Sequence, residues 1–282
     1  MSEKRRARSD EDAGPSRSGF RAAVAVAVTL VAVALLAPWI APYAPDAIDL
    51  AGRRAAPSMA HWFGTDDLGR DLLARVLSGA RVSLAIGILA AALTVALGAG
   101  VGMVAGWAGR WIDAALMRVA DAILAVPRLP LLMIASVILR PGIVTLILLV
   151  AAVSWMETAR VVRAEVRSLA TRGFVEAGRA IGASAVESIL RHILPNVVPT
   201  LVVATTLAVG RSILLESAMS FFGVGVQPPT ASWGNMLYQA QATMATEPWL
   251  ALFPGAAILI SVLTVNALGE RLNIRRSGSI GV

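Results

Sequence analysis

The sequence predicts an all-α protein that crosses a membrane several times, and three observations carry that prediction. Hydrophobic residues make up 57% of the 282-residue chain and charged residues only 15%, with a mean hydropathy of +0.71, far too apolar for a soluble domain of this length. The apolar residues stand in long runs, where a soluble helix or strand would alternate apolar and polar positions. Basic residues cluster in alternate segments between the runs, the asymmetry expected of cytoplasmic loops.

The runs give six spans, at residues 22–40, 82–105, 116–139, 142–156, 197–222 and 250–268. A helical crossing needs about 20 apolar residues, so the fourth is short. The first run follows a basic segment, as in a secretory signal peptide, but exceeds the roughly 7–15-residue core of one. The third holds Asp121, Pro127, Arg128 and Pro130, and a kink is expected there. With the amino terminus inside, the inner segments hold six basic residues in the N-terminal tail, Arg110 and Arg118, six from Arg160 to Arg191 and three beyond residue 270, which is 17 of the 25. Residues 223–249 have none, so both termini are expected on the cytoplasmic side. Trp39, Trp107, Trp111, Trp155 and Trp249 fall at expected span ends, where an amphipathic ring suits the headgroup layer. The organisation that follows is a cytoplasmic tail (1–21), a first transmembrane helix (22–41), and an extracytoplasmic loop with an interfacial helix (42–81). A five-helix core (82–272) containing a cytoplasmic loop (157–196) and a C-terminal cytoplasmic tail (273–282) complete it.

Several chemistries are poorly served by this composition. There is no cysteine, and the only histidines, His61 and His192, lie far apart and lack a nucleophile or carboxylate constellation, so neither a metal site nor a catalytic residue is expected. The sole lysine, Lys4, has no glycine-rich loop before it, which excludes a lysine-bearing phosphate cradle. No cofactor is expected in this chain, and any energy source must belong to a partner. The net charge of +7 follows from membrane topology and calls for no nucleic acid.

Residues 157–196 are longer than a tight connection needs. Phe174, Ala177 and Ile181 recur at helical spacing, Gly182 supplies a stop, and Ser184 to Glu187 fits a capping box that opens a second short helix. That helix carries Val186, Ile189, Leu190, Ile193 and Leu194 on one stripe, and Pro195 marks the return toward the membrane. Such a stripe can cover another protein or lie on the membrane surface. Arg160, Arg163 and Arg167 share one face of a helical extension, as solvated, headgroup-facing or partner-facing charge. Within the fifth span, Arg211 and Glu216 are expected to face the bundle interior or a wet cavity, because an unpaired charge there costs roughly 2.5–3.5 kcal/mol. Met219, Phe221 and Phe222 could line a pathway, but membrane-facing packing is the better reading. Ahead of the second span, His61-Trp62-Phe63-Gly64-Thr65-Asp66 leads into a helix with Thr65 as N-cap and Asp66 and Asp67 in its first turn. Leu68, Leu72, Leu73, Val76 and Leu77 would form its apolar face at the outer interface.

Glu176-Ala177-Gly178, then Gly182-Ala183, then His192-Ile193-Leu194-Pro195-Asn196 resemble the EAA loop of binding-protein-dependent ABC importers, with Gly178 where a second alanine is usual. The string from His61 to Asp66, continued by Gly69-Arg70-Asp71 and by residues 78–84, is similar to the C-type permease of dipeptide, oligopeptide and nickel importers, with Phe63 where leucine is commoner. So are residues 220–230 and Ser232-Trp233-Gly234-Asn235-Met236-Leu237. The likeness runs from about Pro38 to Leu272, and the tail departs from it at Asn273-Ile274-Arg275-Arg276. The resemblance implies a type I ABC importer permease fold in a bacterial inner membrane. It implies a second, homologous permease subunit, two cytoplasmic ATPase subunits that hold ATP and Mg, and an extracytoplasmic substrate-binding protein. Glu176, Ala177, Gly178, Gly182, Ala183, Ile193, Leu194 and Pro195 would couple to the ATPase, and Arg211 and Glu216 are the pathway candidates. The implied solute is a di- or oligopeptide, with nickel or another small solute as the alternative. A self-contained channel or a membrane-embedded enzyme would share the composition but not the loop and outer strings.

Overall fold

The computed structural model describes residues 17–140 and 142–279, and the side chains of residues 19–140 and 142–273. The expected N-terminal tail lies outside the described residues up to residue 16. Ten α-helices follow: α1 (Arg17–Ile40), α2 (Leu72–Ala108), α3 (Arg110–Leu124), α4 (Arg128–Leu139), α5 (Ile143–Ala170), α6 (Gly173–Ala180), α7 (Ala185–Ser188), α8 (Leu194–Phe221), α9 (Trp233–Ala240) and α10 (Trp249–Ser279). A short 3-10 turn, Leu50–Gly52, lies in the long loop after α1, and a π turn, Ile189–Ile193, joins α7 to α8.

Among the described residues five single helices are long and apolar enough to cross a membrane, and α3 with α4, a pair bent by 88°, makes a sixth if the two are counted as one broken span. The third expected span is therefore broken. Pro127 at the break has no N–H to donate and disfavours helix in the residue before it. The fourth span is long where a short one was expected, because α5 runs 28 residues to Ala170. Residues 157–170 contain neither glycine nor proline, and Val161, Val162 and Val166 keep the helical period. Trp155 consequently lies inside α5 and not at a span end.

Two further boundaries move. The expected interfacial helix before the second span is the start of the 37-residue α2, which begins at Asp71, whose side chain caps the Ala74 N–H. Thr65 is buried and tied to the preceding loop, accepting from the Ala55 N–H at 2.8 Å. The expected second short helix of the inner loop is likewise continuous with the fifth span, giving one 37-residue helix from Ala185 to Phe221. Pro195 produces no return there. It sits in the first turn of α8, just after the π turn, where the Leu194 N–H reaches the Ile189 carbonyl. The C-terminal segment continues α10 as helix up to Ser279.

The bundle is built on α2 against α5. Gly98, Gly102 and Gly106 form a stripe at four-residue spacing, and a Cβ on them would lie 2.6 Å from the Trp155 carbonyl, 2.6 Å from the Ala159 carbonyl and 2.9 Å from the Arg163 carbonyl. Small residues at this spacing let two membrane helices meet backbone to backbone. Ile86, Leu132, Leu146 and Met219 close the core between α2, α4, α5 and α8. The face carrying residues 171–193 is called the loop face below, and the opposite one, covered by residues 41–71 and by α9, the cap face.

Candidate functional site

The loop face presents a small helical knob. At the end of α6 the Gly182 N–H donates to the Arg179 carbonyl and the Ala183 N–H to the Gly178 carbonyl, both at 3.0 Å. This is the paired pattern of a Schellman stop, and it puts Gly182 at φ +93°, a conformation that glycine adopts without strain. Ser184 then caps α7 by accepting the Glu187 N–H at 3.1 Å. The knob is rooted by Val175 and Ile193, both fully buried, the latter against Val162, Val166 and Val197. The Arg179 guanidinium lies over the Trp107 ring at 4.1 Å, a cation–π contact that fixes α6 to the end of α2.

The expected coupling residues separate into two sets on this knob. Glu176, Ala177, Gly182 and Pro195 are exposed, Ala183 and Leu194 half-buried, and Ile193 is an internal anchor. Gly178 is buried under His192, whose Nε2 would stand 3.3 Å from a Cβ there, a close fit that suits a small residue. The apolar stripe of the second helix divides in the same way. Ile193 faces in, while Val186 (66% exposed) and Leu190 (56%) join Ile181 (88%) and Phe174 (45%) on the outside. Four large apolar side chains around one glycine turn are a docking surface in form. Arg160, Arg163 and Arg167 are not simply solvated. Arg160 pairs with Asp121, while Arg163 and Arg167 both pair with Asp113, the latter at 3.5 Å, lashing α5 to the broken third span.

Arg211 and Glu216, grouped by the sequence, are parted by the structure. Glu216 is wholly buried. It accepts from Ser83 Oγ at 3.0 Å and from Ser220 Oγ at 2.8 Å. Those hydroxyls in turn accept the Trp233 N–H at 3.2 Å and the Val226 N–H at 3.0 Å. Trp233 Nε1 donates to the Val76 carbonyl at 3.0 Å, and Ser232 with Asn235 forms a capping box at the start of α9. The carboxyl thus binds the cap to α2 and α8.

Arg211 instead lines a cavity of about 410 Å³ walled mainly by α5 and α8. There it pairs with Glu157, whose other oxygen accepts from Arg128 Nη2 at 2.5 Å. Glu157 was expected at the start of the inner loop; it lies half-way along the 28-residue α5, about 21 Å from either end at ~1.5 Å rise per residue. The absence of a helix breaker after residue 156 was the available signal. Among the described residues no group of three His, Cys, Asp or Glu could hold a metal ion.

Residues 98–277 match the family described as the inner membrane component of binding-protein-dependent transport systems, and residues 18–57 match the N-terminal transmembrane domain of oligopeptide transport permease C. A Brucella suis biovar 1 protein provisionally named a peptide permease is 40% identical over 259 residues, covering 91% of this chain and 85% of the relative. The glutathione transport system permease protein GsiD of Escherichia coli O6:K15:H31 is 42% identical over 246 residues, 87% of this chain and 81% of the relative, and that of Shigella sonnei matches equally. With its bundle, its loop-face knob and these matches over most of its length, the chain belongs to the binding-protein-dependent transport system inner membrane component family, as a multi-pass ABC importer permease of the oligopeptide type.

Proposed function

We propose that this permease forms half of the membrane pathway through which an ATP-driven importer takes up short peptides. A homologous permease supplies the other half, two ATPase subunits grip the loop faces, and an extracytoplasmic binding protein delivers the solute to the cap face. The observation that carries the reading is the knob, an exposed apolar surface of Phe174, Ile181, Val186 and Leu190 held on a buried base. An ATPase that rocks this knob moves α8 directly, since α7 is continuous with it. Peptide as the solute is supported by relatives named for peptide and glutathione transport. The chain itself binds no cofactor and performs no chemistry, and ATP and Mg belong to the partner ATPases.

The loop face is cytoplasmic in this reading, as are both termini. Support comes from the placement of basic residues: six stand from Arg160 to Arg191, toward the loop face, whereas residues 223–249, on the cap-face side, have none. Purifying the tagged chain from its native membranes in mild detergent and identifying its companions by mass spectrometry tests the assembly. Recovery of an ATPase, a second permease and a binding protein is expected. Repeated recovery of the intact, folded chain alone would point to a self-contained channel.

A further inference from the structure

The cavity beside Arg211 holds an unbalanced set of charges. Glu157 spends one carboxylate oxygen on Arg128 and the other on Arg211, so two guanidiniums share one carboxylate and the cluster carries a net charge of +1. Each guanidinium has five N–H donors. Among the described residues, neither Arg128 nor Arg211 bonds any other acceptor side chain, and Arg211 is 56% exposed on the cavity wall. Two hydroxyls complete the picture. Thr94 and Ser154 line the same cavity with buried oxygens that have no hydrogen-bond partner, and Thr94 is only 2% exposed. Buried polar groups are normally satisfied, so these two hydroxyls hold unused hydrogen-bonding capacity beside the cavity.

We propose that Arg128, Glu157 and Arg211, with Thr94 and Ser154, form a carboxylate-binding subsite on the translocation path, which takes the terminal carboxylate of a passing peptide. This rests on the peptide-importer reading above. A carboxylate meets the planar guanidinium fork in a bidentate fashion, restores neutrality in the cavity, and offers acceptors to the two hydroxyls. Its volume of about 410 Å³ is within the range of small-ligand sites, roughly 300–1,000 Å³. Glu157 serves as a stand-in anion when the site is empty. It shares the guanidiniums with the solute carboxylate and so keeps the solute from being held too tightly to leave.

The chain's lack of cysteine gives a direct test. Ala204→Cys, on the cavity wall outside the proposed subsite, is introduced, the permease pair with its ATPases is reconstituted in nanodiscs without the binding protein, and this chain's thiol is titrated with an anionic sulfonatoethyl and a cationic trimethylammonioethyl methanethiosulfonate. Relative to a free thiol, the anionic reagent is expected to gain roughly tenfold, the low end of focusing in a charged cleft. Arg211→Gln and Arg128→Gln should each abolish that preference, while leaving Glu157 one guanidinium partner and the fold intact. Excess trialanine should slow the labelling and trialaninamide should not. Equal rates for the two reagents, or equal protection by acid and amide, would overturn the proposal. Uptake of trialanine by the whole importer is measured alongside. Uptake without anion preference removes the subsite and keeps the peptide reading; anion preference without trialanine protection or uptake removes the peptide carboxylate as its ligand, and with it both readings.

Discussion

Glu216 and Glu157 are two carboxylates within membrane helices, and the chain treats them oppositely. Glu216 is sealed: it is fully buried, its oxygens are met by hydroxyls of Ser83 and Ser220, and through them it holds the cap on the bundle. Glu157 is open: its side chain is 41% exposed beside a cavity, and its two partners are arginines with donors to spare. The network around Glu216 turns its polar groups on one another, whereas the cavity and the knob leave interaction capacity unspent. Substitutions on the sealed side should damage the fold, and those on the open side should damage transport with little cost to the fold.

The largest expected effect is therefore at Glu216. Glu216→Ala removes both acceptors and strands the Ser83 and Ser220 hydroxyls in the core, at ~1–3 kcal/mol per orphaned group. Thermal melting of detergent-solubilised protein, followed by tryptophan fluorescence, should fall steeply, because Trp233 hangs on the same network. Glu216→Gln keeps one carbonyl acceptor and should recover part of the loss. A Glu216→Ala protein that melts like the parent would break the comparison at its root.

Glu157→Ala comes next. It leaves Arg128 and Arg211 as unpaired like charges, each with an insertion cost of roughly 2.5–3.5 kcal/mol at a helix centre, reduced here because both open on a cavity that water can enter. The expected outcome is a modest drop in melting temperature with uptake abolished. If stability instead fell as far as with Glu216→Ala, Glu157 would have to be moved to the sealed class.

How much of this division the sequence disclosed depends on whether a residue's role is local. The stop at Gly182 and the cap at Ser184 were legible, because each is decided by a few neighbouring residues. The five long apolar helices were legible from composition, and the family was legible from the strings at residues 61–84 and 220–237. The Asp121, Asp113 and Glu157 partners of the arginines were not, because those pairs join residues 29 to 54 positions apart. Arg211 and Glu216 looked alike for the same reason: hydropathy registers a charge in a span, but only the folded bundle determines whether hydroxyls or solvent surround it. The helical extension carrying Arg160, Arg163 and Arg167 was legible, whereas its unbroken continuity with the fourth span as one 28-residue helix was not. The role of the glycine stripe at positions 98, 102 and 106 emerged only from the fold, although its four-residue spacing was the available signal.

On the open side, Gly182→Val sharpens the comparison further. A Cβ at Gly182 would meet nothing within 4 Å, yet φ is +93°, so the cost is conformational, about 1–3 kcal/mol for a residue held in such a region. Strain of that size in an exposed turn should deform the knob and leave the bundle standing. In the reconstituted importer, ATP hydrolysis should continue while uptake falls, and unchanged coupled uptake would remove Gly182 from the coupling path.

Ile181→Asp should have the smallest effect on the chain itself, and for that reason it is the most discriminating. Ile181 is 88% exposed, so the folded monomer loses almost no packing, and exposed substitutions usually stay within about ±0.5 kcal/mol. Melting of the purified chain should be unchanged. If the knob docks into an ATPase, however, the same aspartate must be desolvated in an apolar interface without a partner, a penalty paid only in the complex. Recovery of the ATPase with the tagged permease should therefore drop sharply, with Val186→Asp behaving alike and the buried Val175→Asp failing earlier, at the fold. Full ATPase recovery with both exposed variants would mean that these side chains face lipid headgroups, and the stripe would be an amphipathic surface anchor for the loop.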